Sequence, residues 1–101
     1  MLTKQDIFQT IIANKEAIKN FGVIEIGLFG SYVRNEQTNE SDIDILVDFV
    51  KEKKTLMNYI DFCNLLESLF KNNKIDIVSK RGLSKFIGPH ILKEVDYVKI
   101  G

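Results

Sequence analysis

Residues 41–50 alternate strictly: Ile43, Ile45, Val47 and Phe49 fall on one side, Asp42, Asp44, Leu46 and Asp48 on the other. A period of two marks a strand with one buried face. Residues 23–29 (VIEIGLF) form another short apolar run, stopped by Gly30-Ser31, and residues 74–79 (KIDIVS) form a third. Both are rich in β-branched residues and of strand length. Elsewhere the apolar positions recur at helical spacing. Thr3 caps a predicted helix on which Ile7, Ile11 and Ile18 share a face, and Asn20-Phe21-Gly22 closes it with Gly22 at positive φ. A second helix is predicted over residues 55–72, with Leu56, Tyr59, Ile60, Cys63, Leu66 and Phe70 on its apolar arc. Phe62, Leu65 and Leu69 widen that arc beyond what one small core accepts, which predicts an exposed apolar patch.

The connecting segments are shorter and more polar. Residues 32–34 suit a single helical turn and residues 35–40 (NEQTNE) a loop. After Arg81-Gly82 the chain reads as irregular up to Gly88. Pro89 suits the first position of a short helix through Val95, and residues 97–100 an extended tail. Without repeats or linkers, the 101 residues are expected to form one domain.

Composition narrows the function. Fourteen Lys and Arg balance fourteen Asp and Glu, which argues against nucleic-acid binding by bulk charge. Only two of the cations are arginines, Arg34 and Arg81, so each planar phosphate reader is worth locating. A lone Cys63 forms no internal disulfide, one His builds no zinc site, and no apolar run spans a bilayer. The N-terminus lacks a signal-peptide layout, so the expectation is a soluble cytoplasmic protein.

The candidate chemistry lies in the acids. Asp42 and Asp44, two apart on a strand, point to one face with Cα atoms roughly 6–7 Å apart. Alone, such a pair is most often a solvated sheet face. If the third strand lies beside the second, Asp76 joins them about 5 Å across the ladder. Three carboxylates then converge where Mg²⁺, a hard cation taking carboxylates plus substrate phosphates, is the natural counter-charge. Gly30-Ser31 ends a strand in a turn where backbone can approach an anion. A fixed Gly-Ser, ten residues, then Asp-x-Asp arises by chance roughly once in a thousand chains of this size.

The stretch GLFGSYVRNEQTNESDIDILVDF resembles the signature of the polymerase-beta-type nucleotidyltransferases, and KIDIVS in so short a chain resembles the minimal nucleotidyltransferase (MNT) family. The resemblance is strongest over residues 22–79, weaker over ILKEVDYV and slight over the first helix. It implies an α+β fold, a small mixed sheet with helices packed on one side. It also implies transfer of a nucleoside monophosphate from an NTP, with pyrophosphate leaving. Asp42, Asp44 and Asp76 would be the catalytic, metal-holding carboxylates, with two Mg²⁺ expected, and Gly30 and Ser31 would contact the triphosphate. Arg34 stands where the family has an arginine. Val33 and Asn35 replace the family's frequent Ala and Gly, and Asn tolerates a left-handed backbone.

Other residues carry blander readings. Arg34 either contacts phosphate or braces the loop through Glu36 or Glu40. Asp48 lies on the acid face outside the motif, Cys63 reads as core, His90 as surface and Lys51, Lys53 and Lys54 as a solvated turn. Arg81 falls after the third strand.

So small a catalytic core leaves little chain for an acceptor site, which implies a second protein or copy. The resemblance implies a helical HEPN toxin, encoded next door, whose tyrosine receives AMP from ATP, with the chain as its antitoxin in a hetero-oligomer. Two alternatives stay open: a small-molecule nucleotidyltransferase of the aminoglycoside-modifying type, and a binding module that masks its partner without chemistry.

Overall fold

A computed structural model describes residues 2–80 and 88–100. Arg81 and the irregular segment expected to follow it lie outside the described residues. Helices α1 (Lys4–Ala13) and α2 (Lys15–Asn20) lead into strand β1 (Val23–Phe29). Strand β2 (Ile43–Phe49), helix α3 (Leu56–Leu69) and strand β3 (Ile75–Ser79) follow, then helix α4 (Gly88–Glu94) and strand β4 (Asp96–Lys99). The four strands form one sheet in the order β3-β2-β1-β4. β1 runs antiparallel to β2 and β4, whereas β2 and β3 are parallel. α3 is the crossover that parallel pairing requires. The fold is α+β with a mixed sheet, as the family resemblance implies.

The alternation along β2 decides which face is dry. Ile43, Ile45, Val47 and Phe49 are buried and pack with Ile26 and Leu28 of β1. Ile7 and Ile11 of α1, Ile18 of α2 and Phe62 and Leu66 of α3 close over them, while α4 contributes nothing to this cluster. Phe62 is central, meeting Phe49 edge-on with ring centroids 5.5 Å apart and Phe21 at 6.1 Å. The acids therefore lie on the face that these three helices leave uncovered.

Several sequence expectations need correction. The first helix is two, broken at Asn14, whose backbone leaves the helical region (φ −109, ψ 18) and whose Nδ2 donates to the Thr10 carbonyl at 2.8 Å. An Asn side chain competing for backbone groups is a common cause of such a break. The helical turn after β1 is a 3₁₀ turn over Gly30–Tyr32, two residues earlier than expected. Phe62, Leu65 and Leu69 all turn toward the core. The exposed apolar residues of α3 are instead Leu56 (73% exposed), Met57 (65%) and Ile60. α3 ends at Leu69, short of residue 72. The extended tail is an edge strand, pairing Leu28 with Asp96 and Gly27 with Tyr97. Two backbone expectations hold: Gly22 has φ +83 and Asn35 has φ +58.

Candidate active site

Parallel pairing of β2 with β3 sets Asp44 directly opposite Asp76, with Ile43 opposite Ile75 and Ile45 opposite Ile77. Directly paired residues project to the same face, so Asp76 shares the face of Asp44, and of Asp42 two residues before it. Antiparallel pairing of β1 sets Phe29 opposite Asp44. The next residue, Gly30, thus turns beside the Asp44 carboxylate. Gly30 has φ +77, and a Cβ there would collide with Asp44 Oδ2. Glycine is required twice at this position, for its backbone angle and for its missing side chain.

Asp44 is half-buried and its pKa is pushed up to about 6, chiefly by burial, then by Asp76 and Asp42. Arg34 pulls it down and Glu94 adds a smaller upward push. Asp44 thus holds a charge that burial and its neighbours oppose, and a cation would relieve it. Among the described residues no three Asp, Glu, His or Cys side chains already close into a metal cage. Mg²⁺ takes one or two carboxylates and completes its shell with water and phosphate oxygens. Asp42 and Asp76, close enough to act on Asp44, add only oxygen donors, the kind a hard cation prefers.

Arg34 is held by two carboxylates. Its Nε donates to Glu36 Oε1 at 2.7 Å and its Nη1 to Glu94 Oε2 at 2.9 Å and Oε1 at 3.2 Å. Of the two roles the sequence allows, the bracing one is therefore occupied, through Glu36 and Glu94, while the Nη2 end is used in neither pair. Ser31 is half-buried in the turn, and its carbonyl accepts the Glu36 N–H at 2.9 Å. Glu94 also accepts the Gly30 N–H at 3.0 Å. Sequence reasoning missed Glu94. The alternating DYVK was its signal: pairing that segment antiparallel to β1 carries the residues before it to the Gly30 end.

Tyr59 of α3 steadies the strand that carries Asp76. Its hydroxyl donates to the Ile77 carbonyl at 2.9 Å, and burial pushes its pKa up to about 12, so it stays a donor. A cavity of about 270 Å³ between Phe49, Tyr59 and Leu56 lies at the other end of β2, away from the acids. His90 is exposed and Cys63 is a half-buried free thiol.

The nucleotidyltransferase domain family matches residues 12–98. This chain belongs to that family, and within it to the minimal nucleotidyltransferases. It is 43% identical over 99 residues to the protein adenylyltransferase MntA of Thermococcus cleftensis, covering 97% of this chain and 98% of that one. A solved structure described as a candidate minimal nucleotidyltransferase superposes with a TM-score of 0.70 at 33% identity, covering 87% of this chain and 92% of the other. The fold also recurs at 21% identity in the complex of a tri-AMPylated Shewanella oneidensis HEPN toxin with its MNT antitoxin. There the TM-score is 0.56, with 85% of this chain and 69% of the other covered. A toxin–antitoxin structure with AMP-PNP matches at a TM-score of 0.66 and 23% identity, over 95% of this chain and 72% of that one.

Proposed function

We propose that this chain transfers AMP from ATP to a hydroxyl, most simply a tyrosine, of a HEPN-type toxin protein, and thereby acts as its antitoxin. The observation that carries this reading is Asp44 in register with Asp76 and pressed against Gly30. The 43% identity to a protein adenylyltransferase supports a protein as the acceptor. The apolar surface that Leu56, Met57 and Ile60 expose on α3 suits protein contact. A partner encoded alongside and a cytoplasmic setting are part of the proposal. For the described residues, no helix is long and apolar enough to cross a membrane.

The sheet order suggests how the site divides. β1 and its Gly30-Ser31 turn lie on one side of β2, where the triphosphate would rest against backbone and Arg34. β3 is an edge strand and Asp76 is exposed on it, so an acceptor from a second protein has access there. The acceptor oxygen bonds to the α-phosphorus, the bond from that phosphorus to the bridging β-phosphate oxygen breaks, and pyrophosphate leaves with the electron pair. Asp76 orients the acceptor hydroxyl and takes its proton. Asp42 and Asp44 would hold Mg²⁺, which when bound supplies charge stabilisation to the phosphate oxygens. Two ions are part of the proposal.

Incubation of the chain and its partner with Mg²⁺ and ATP labelled at the α-phosphate tests the reading. Label is expected on the partner, with peptide mapping placing it on a tyrosine. Label on a small molecule and none on protein would refute the protein acceptor.

A further inference from the structure

We infer that Glu94 is a positioning residue for nucleotide binding, fixing the Gly30 bend and aiming Arg34 at the phosphates. The inference rests on the adenylyl-transfer reading for its substrate, and on contacts within the chain for everything else. One carboxylate takes both groups: Oε1 accepts the Gly30 N–H at 3.0 Å, and both oxygens accept Arg34 Nη1, at 3.2 and 2.9 Å. Glu36 holds the Nε of the same guanidinium at 2.7 Å. A long cationic side chain is thus ordered before any ligand arrives, and its Nη2 donors, in neither pair among the described residues, point the way to a phosphate oxygen. Ordering such a side chain in advance removes an entropic cost from binding.

Glu94 comes from far along the chain, on a part of the fold that is itself fixed. It ends α4, and the residues after it pair with β1. Gly27 of β1 makes this approach possible, because a Cβ there would collide with Val95 Cγ2 and press on the Tyr97 ring. Lys4 adds a 2.8 Å ion pair to Asp96, tying β4 to α1. Because Asp44 Oδ2 lies against the Cα of Gly30, a shift in the bend is also felt at the carboxylate. Through one side chain the end of α4, anchored by β4, reaches both the Gly30 bend and Arg34.

A different role is conceivable for a carboxylate beside an anion site: it could compete with phosphate for the Gly30 N–H. The two roles predict opposite signs. Dissociation constants for MgATP and its non-hydrolysable analogue, measured for wild type, E94A and E94Q, decide between them. Losing charged hydrogen bonds to two groups should weaken binding by E94A roughly tenfold or more. E94Q keeps an oxygen for the Gly30 N–H and should lose less. Removing Arg34 from the E94A chain should cost less affinity than removing it from wild type, because its aim is already lost. The Gly30 amide resonance of the ligand-free chain should move in E94A and much less in E94Q. In the transfer assay the loss should fall on KM more than on kcat. E94A binding as tightly as wild type, or more tightly, would overturn the inference. So would a Gly30 amide unmoved in E94A. A chain that binds MgATP but transfers no AMP would refute the proposed activity and leave the dissociation constants to judge Glu94. A chain with no affinity for MgATP would overturn both.

Discussion

Asp44 carries the largest tension of any residue in the site, because burial and two neighbouring carboxylates oppose its ionisation. With its pKa raised from 3.8 to about 6, the folded chain holds this proton more tightly than the unfolded chain does. Stability therefore falls as pH rises from about 4 to about 6, and above that the folded state carries the full penalty of the ionised group. Asp44→Asn should accordingly raise the melting temperature of the metal-free protein at neutral pH while removing transfer. Thermal melts across pH should show the gain fading as pH drops through 6 and vanishing below about 4. The same titration predicts that Mg²⁺ affinity, read by calorimetry, strengthens as pH rises through about 6. Gly30→Ala makes a separate prediction at this scale. With φ at +77 and Asp44 in the way, it should cost stability on the order of 1–3 kcal/mol and most of the transfer activity, checked by denaturant titration and rate measurement. A Gly30→Ala protein as active as wild type would show that the close approach to Asp44 is dispensable.

At the level of elements, the legible parts of the fold were those with a clean period. The two-residue alternation of β2 gave both its buried face and its acid face, and β3 was recognisable from Ile75, Ile77 and Val78 flanking Asp76. The break at Asn14 was not legible, since Ile7, Ile11 and Ile18 keep their common face across two short helices. α3 was misjudged for a physical reason. Its apolar residues cover most of the wheel, and only tertiary packing decides that Phe62 goes in and Leu56 stays out. β4 alternates, but four residues are too short a run to announce a pairing partner, and the place of Glu94 depends on that pairing. Phe62→Ala tests the packing directly. Removing the ring that meets both Phe49 and Phe21 should destabilise the chain by about 3–5 kcal/mol, measured by urea unfolding. Truncation of the exposed Leu56 to alanine should cost well under 1 kcal/mol.

On the scale of the whole molecule, sheet order links chemistry to assembly. The inner strand β2 carries Asp44 near its start, with Asp42 just before the strand, the Gly30 turn flanks Asp44 through β1, and Asp76 is exposed on the edge strand. The meeting of Asp44 and Asp76 followed from spacing once β3 was set beside β2, whereas the roles of the aspartates and of the Gly-Ser turn came from the family resemblance. The partner could not be read from spacing, since an interaction surface has no comparable period. The most direct test is the intact mass of a HEPN-type partner after incubation with this chain, Mg²⁺ and ATP. The account predicts a gain of one or more whole adenylyl groups with wild type and none with Asp44→Ala. A partner whose mass stays unchanged with wild type, or one modified equally by Asp44→Ala, would contradict it.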